Sequence, residues 1–244
     1  ASNGGVNQHF GNTVAPSSNG HVLAVGTSNL NNGQAYVFER EGAGWSEKKI
    51  LSAPARDSFG SSVAISGDGT TLAVGADGDD SASTGVNNTS NDEAVASGAV
   101  YIFVRNGEDW IKQAYVKASN TGADDGFGFA ISLSADGNTL AVGAWSEDSD
   151  ATGIGGSQAS DAANVSGAAY IFARDGSIWR QTAYVKASNN RPAETGQLFG
   201  LSLALSGDGK SLAVGAAREA SGATGINGDQ SDTSAPDAGA VYLY

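Results

Sequence analysis

Phe59-Gly60-Ser61-Ser62-Val63-Ala64-Ile65-Ser66-Gly67-Asp68-Gly69-Thr70-Thr71-Leu72-Ala73-Val74-Gly75-Ala76 is the stretch whose reading decides the fold of this chain. Two short aliphatic and β-branched runs flank a Gly/Asp cluster, which predicts a tight β-hairpin. Glycine and Asp suit the turn because it needs positive φ. The same frame recurs. Phe-Gly followed fifteen residues later by Val-Gly stands at Phe10/Val25, Phe59/Val74, Phe127/Val142 and Phe199/Val214. The fifteen is held while successive Phe residues lie 49, 68 and 72 apart, so a rigid unit carries tolerant loops. Periodicity of this length means one supersecondary module packed against copies of itself.

Further strands follow in each copy. The third is Ala35-Tyr36-Val37-Phe38, Val100-Tyr101-Ile102-Phe103, Ala169-Tyr170-Ile171-Phe172 and Val241-Tyr242-Leu243-Tyr244. Nine residues beyond the first three tyrosines stand Trp45, Trp110 and Trp179, each opening a fourth strand such as Trp110 to Lys117. Each module is thus a four-stranded antiparallel meander, and helical periodicity is absent. The first two strands are apolar or small, which suits burial on both faces. The fourth carries Lys48, Lys49, Lys112, Lys117, Arg180 and Lys186, charges that blunt an exposed edge. Strand one is therefore expected innermost and strand four on the rim. The expected fold class is all-β, a β-propeller of repeats at about 10–58, 59–126, 127–198 and 199–244, the last lacking its outer strand. These repeats form one domain, 1–244, or a segment of a larger propeller. A stacked solenoid is the rival, although its repeats are usually shorter and capped.

Phe59-Gly60-Ser61-Ser62-Val63-Ala64 with Val74-Gly75-Ala76, and Gly98-Ala99-Val100-Tyr101-Ile102-Phe103, resemble the FG-GAP repeat of integrin α-subunit propellers and of many secreted bacterial proteins. The resemblance covers essentially the whole chain in four copies. It implies a propeller and an extracellular, cell-surface setting of bacterial type. It says little about activity, since the family hosts adhesion, carbohydrate binding and scaffolding. Calcium-binding members carry an Asp-rich loop between the first two strands of a blade. Here that loop has shrunk to turns holding a single carboxylate, Asp68, Asp136 or Asp208, too few for the six to eight oxygens calcium takes. These three are read as turn residues.

Thirteen basic against 26 acidic residues give a net charge of −13, which argues against a nucleic-acid partner. No apolar run is long enough for a membrane span. Without cysteine there is neither a disulfide framework nor a thiol nucleophile. A chain that opens at Ala1 and has no methionine reads as a processed product or an excised segment. Ala1-Ser2-Asn3 matches Ala118-Ser119-Asn120, the end of a fourth strand, and the chain closes after a third strand at Tyr244. The first expectation is a segment of a longer propeller, seven-bladed by resemblance. A self-contained four-bladed ring and a ring made by two chains are the alternatives.

Between strands two and three, the Val-to-Tyr spacing is 11 in the first copy and 27, 28 and 28 in the others. The long loops Asp77–Ser97, Trp145–Ser166 and Ala217–Ala238 align on Thr84-Gly85-Val86, Thr152-Gly153-Ile154 and Thr224-Gly225-Ile226. Long loops on one face of a rigid scaffold are the usual place for binding. Asp77, Asp79, Asp80, Glu147, Asp148, Asp150 and Glu219 precede those cores and are the candidate ligands for Ca2+. The competing reading is a hydrated acidic loop that packs on its neighbour blade. Trp145, in one loop only, is the candidate for stacking on a ligand, whereas Trp45, Trp110 and Trp179 are expected between blades. His9 and His21 occupy no repeated position and are read as surface residues.

No nucleophile elbow, His-Glu-x-x-His motif or phosphate loop occurs, so no enzyme is expected. The expected function is a non-catalytic extracellular binding or adhesion module, its protein or carbohydrate ligand on the long-loop face. The alternative is a structural scaffold, or a subunit of an assembly that completes its open blade with a partner's strand. Self-assembly and further blades from the same parent polypeptide belong to that alternative.

Overall fold

The computed structural model describes all residues except 28, 30–32, 54–56, 89–90 and 192–195. Parts of the short link in the first repeat and of loop 77–97 therefore lie outside the described residues. The strands are β1 (Thr13–Pro16), β2 (Val22–Gly26), β3 (Gln34–Glu41) and β4 (Gly44–Ser52), then β5 (Phe59–Ile65), β6 (Thr71–Ala76), β7 (Ala99–Asn106) and β8 (Asp109–Val116). They continue as β9 (Phe127–Leu133), β10 (Thr139–Ala144), β11 (Ala168–Asp175), β12 (Ile178–Val185), β13 (Phe199–Leu205), β14 (Leu212–Ala216) and β15 (Ala240–Leu243). Each repeat forms its own antiparallel meander in chain order, with four strands in the first three sheets and three in the last. The chain is all-β among the described residues, and successive sheets pack face to face as propeller blades.

The repeated glycines explain themselves at the blade interfaces. A Cβ on Gly75, of the Val-Gly pair in the second blade, would lie 2.2 Å from the carbonyl oxygen of Gly128, of the Phe-Gly pair in the third. Gly26 meets Gly60 in the same way at 2.1 Å, and Gly143 meets Gly200 at 2.0 Å. Backbone packs on backbone at every joint, closer than any side chain permits. The fifteen-residue spacing is the length of hairpin that presents both glycines to the two neighbours.

Around each joint, one blade contributes small residues and the next an aromatic face. Ala73, Val100, Ile102, Ala114 and Val116 of the second blade pack against Phe127, Tyr170, Phe172, Trp179 and Tyr184 of the third. Phe127 sits edge-on to Tyr170 at 5.3 Å and to Phe172 at 6.1 Å, the geometry aromatic quadrupoles prefer. Trp110 and Trp179 are buried in these interfaces, and Trp179 Nε1 donates to Gln113 Oε1 of the preceding blade at 2.9 Å. Trp45 is half-exposed, since the aromatic face of the first blade meets no earlier sheet in this chain. A polar stitch, tyrosine hydroxyl to asparagine, accompanies the joints before the third and fourth blades and recurs at the free face of the first. Tyr170 Oη donates to Asn120 Oδ1 at 2.7 Å and Tyr36 Oη to Asn3 Oδ1 at 2.6 Å, so Asn3 occupies the position of Asn120.

The first strands converge, as expected of the innermost position. Thr13, Val63, Ile131 and Leu203, one from each blade, line a central depression of about 520 Å³. The ring is open. Val14 and Phe10 are exposed at one end and Val241 and Leu243 at the other. Asp68, Asp136 and Asp208 are turn residues as expected. Asp136 accepts from the Ser134 hydroxyl and the Asn138 N–H, and these bonds hold its carboxyl below the usual range.

One expectation is corrected. Lys117 and Lys186 do not guard an exposed edge: they are 1% and 0% exposed. At its C-terminal end strand four is covered instead by the long loop of the same blade, which folds back to bridge Val86 to Val116 and Ile154 to Val185, while Lys112 and Arg180 remain on the exposed edge.

Gly75→Ala is expected to destabilise the fold by at least about 2 kcal/mol, because backbone must move to clear the new Cβ. Gly44→Ala is the control, its nearest atom being 3.8 Å away at the Glu41 carbonyl. Urea unfolding of the two variants checks the contrast.

Candidate binding face

The three long loops leave the sheets between strands two and three, so they share one end of the propeller. The acidic residues inside them take three different places. Asp79 is buried and accepts from Tyr115 Oη at 2.8 Å, from Lys117 Nζ at 3.2 Å and from the Ser81 N–H at 3.0 Å. Its equivalent Glu147 accepts from Lys186 Nζ at 2.6 Å, Tyr184 Oη at 2.8 Å and Asn120 Nδ2 at 2.8 Å. Each lysine also donates to a serine hydroxyl, Ser97 at 2.7 Å and Ser166 at 2.6 Å, whose own proton goes to loop carbonyls. Every polar group in these latches is satisfied, the condition under which a buried ion pair is tolerated. Burial pushes the Lys186 ammonium below the ordinary lysine value, and the Glu147 carboxylate pulls it back.

Glu219, third in the series, accepts from Asn189 Nδ2 at 2.8 Å and the Ser221 N–H at 2.9 Å. Its blade has no strand four to bring a tyrosine and a lysine. Asp80 and Asp148 clamp the loops, accepting from the N–H of Ala96 at 2.8 Å and of Val165 at 2.7 Å. Asp77 stands on the wall of the central depression, where burial raises its carboxyl above the ordinary range. Asp150 is exposed. The seven candidate ligands therefore do not converge, and among the described residues no three Asp, Glu or His side chains form a group able to hold a metal ion. Trp145 is half-buried, edge-on to Phe129 at 6.1 Å, with its Nε1 against Gly126.

The lysines are what the reading of the sequence missed, although a signal was present. Tyr-x-Lys ends the fourth strand in the two copies that carry both strand four and a long acidic loop. The first copy has the short link, and its register places Ile50 and Ser52 at those positions. Among the three copies that have a fourth strand, the lysine is present where the loop is long and absent where it is short.

Between blades, Asp125 is buried and accepts from the Gly122 N–H at 2.8 Å. Burial, with Glu147 and Asp148 nearby, pushes its carboxyl up to about 7. Asp57, its counterpart one joint earlier, is also raised to about 7, by burial and by Asp79 and Asp80.

Sheets radiating in sequence about a shared axis give this chain a β-propeller fold with an open ring. Residues 45–103 match the FG-GAP repeat, so the chain carries such a repeat from the head of β4 to the third strand of the second blade. No curated protein matches the sequence. Among solved structures, hydrazine synthase of Kuenenia stuttgartiensis is similar at 13% identity and TM-score 0.50, over 86% of this chain and 43% of that one. The β-propeller domain of Myceliophteria thermophila Cps50 (Swd1) is similar at 9% identity and TM-score 0.49, over 85% of this chain and 50% of that one. The chain spans half or less of the length of these structures, and the likeness concerns the fold alone.

Lys186→Met is expected to cost about 3–5 kcal/mol by leaving Glu147 buried and uncompensated. The double variant Lys186→Met/Glu147→Met should recover most of that loss, and a double-mutant cycle in urea measures it. Asp125 and Asp57 set a pH dependence of defined sign. Their folded-state values lie above the unfolded ones, so the folded chain holds protons that the unfolded chain has released. Their contribution to stability is complete below about pH 4 and is lost as pH rises towards 7. Asp125→Asn should raise the melting temperature at pH 8 by roughly 2–4 °C and flatten the fall between pH 5 and 8. Calorimetry across that range checks both.

Proposed function

We propose that this chain is a non-catalytic extracellular binding module of adhesion type, with its ligand on the face formed by the three long loops. The observation that carries the reading is the anchoring of those loops. Two of the three, in the second and third blades, stand on buried lysine–carboxylate latches, are pinned to strand four of their own blade, and are clamped by Asp80 and Asp148. Such fixation lowers the entropy lost on binding. The exposed parts are acidic. Asp92, Glu93, Asp150, Asp161, Asp229 and Asp237 face solvent, and loops 77–97 and 145–166 contain no lysine or arginine. A protein partner with a basic surface fits this face, with electrostatic attraction raising the rate of encounter. An FG-GAP propeller is consistent with protein interaction. Carbohydrate binding beside Trp145, and calcium ordering of the loops, are narrower versions of the same reading.

A second reading rests on the three-stranded fourth sheet, whose β15 edge has no neighbour among the described residues. In it the chain is an assembly subunit whose last blade is completed by a partner's strand.

An array of extracellular-matrix proteins and glycans, probed with and without calcium, tests the first reading. Binding to a basic protein is expected to fall at least tenfold in Asp92→Lys/Glu93→Lys/Asp161→Lys and to weaken with salt. Binding that ignores these three substitutions would remove the loop face from consideration. A calcium-dependent rise in melting temperature would support the ordered-loop version, and an unchanged melt would count against it.

A further inference from the structure

In the second and third blades, strand four lies in a slot with two backbone walls and an acidic floor. One wall is strand three, where Tyr170 opposes Tyr184 and Ala169 opposes Val185. The other is the loop. The Lys186 N–H donates to the Gly153 carbonyl at 2.9 Å, and the Gly155 N–H to the Tyr184 carbonyl at 2.9 Å. The floor is the acid that receives the tyrosine hydroxyl and the lysine ammonium.

The fourth blade holds the same slot without a strand. One wall is β15, with Leu243 78% exposed. The other is Thr224-Gly225-Ile226, where Ile226 is 92% exposed. The floor is Glu219, already 3% exposed and held by Asn189 and the Ser221 N–H, with no ion pair to it among the described residues. Arg191 enters this corner through the Gln230 carbonyl. A buried carboxylate is stabilised strongly by a cation brought to it with its hydrogen bonds satisfied.

We propose that this slot accepts one extended strand of the repeat's own fourth-strand pattern, tyrosine followed two residues later by lysine, and that Glu219 selects the lysine. This rests on the reading that the open blade is completed by a strand. By the register of the third blade, the incoming strand runs antiparallel to β15 with its tyrosine opposite Tyr242. Its lysine then lies opposite Ala240, and its backbone bonds to both walls. The fourth blade differs in one respect. Ala238 stands where Ser97 and Ser166 accept a proton from the lysine, so recognition there depends on Glu219 alone.

The probe is a labelled peptide with the sequence of residues 178–189, Ile-Trp-Arg-Gln-Thr-Ala-Tyr-Val-Lys-Ala-Ser-Asn, titrated onto the full chain. Saturable binding is expected, with protection of β15 from hydrogen exchange. Norleucine in place of the peptide lysine should weaken binding about tenfold or more. Glu219→Gln should abolish that difference, and Ala238→Ser should tighten binding of the lysine peptide alone. If both peptides bind the native chain equally, lysine selection by Glu219 is wrong while strand docking stands. If neither binds and β15 exchange is unchanged, docking falls too. Should Glu219→Gln fail to fold by its thermal melt, the comparison of the two peptides on the native chain decides.

Discussion

Everything in this structure depends on backbone meeting backbone where two blades join. A carbonyl of one Phe-Gly pair lies where the Cβ of the neighbouring Val-Gly pair would be, at 2.0 to 2.2 Å at all three joints. That contact sets the spacing of the sheets. The spacing then dictates the rest of the interface, with small residues on one side and a Phe, Tyr and Trp face on the other. Because the same constraint acts at each joint, the hairpin is held rigid while the loops beyond it are free to lengthen.

The loops use that freedom and give some of it back. Sixteen or seventeen extra residues would cost conformational entropy if they moved freely. Here they lie along the edge of strand four and drop an acid into the blade, where a lysine from that strand meets it. An ion pair of this kind adds little net stability over apolar packing, yet it fixes one geometry, since any other leaves a buried charge alone. The loop, the edge it covers and the lysine beneath it therefore form one unit. The fourth blade, with loop and acid but no strand, shows how far that unit persists without its outer member.

Carboxylates of one chain consequently have unlike roles. Asp136 shapes a turn, Asp148 clamps a loop, Glu147 takes an ammonium, and Asp125 is buried with a raised carboxyl. Acidity in the sequence marked the long loops, but reading their carboxylates as one ligand set assumed that neighbours in sequence point the same way, and among the described residues no three of them group. In an extended loop they alternate, so Asp79 faces the core while Asp80 turns to the backbone across the loop.

Sequence alone determined the hairpin, the order of strands in each meander, the inner position of strand one and the propeller. Those follow from local pattern: alternation, turn residues and a repeat that copies itself four times. Only the tertiary structure decided which charges are buried. Lys112 lies on β8 and Lys117 directly follows it, and one faces solvent while the other is sealed. Their difference is set by a loop whose Asp79 meets Lys117 from 38 residues away along the chain. No short-range pattern carries that contact, because it exists only once the blade has formed and the loop has an edge to lie against.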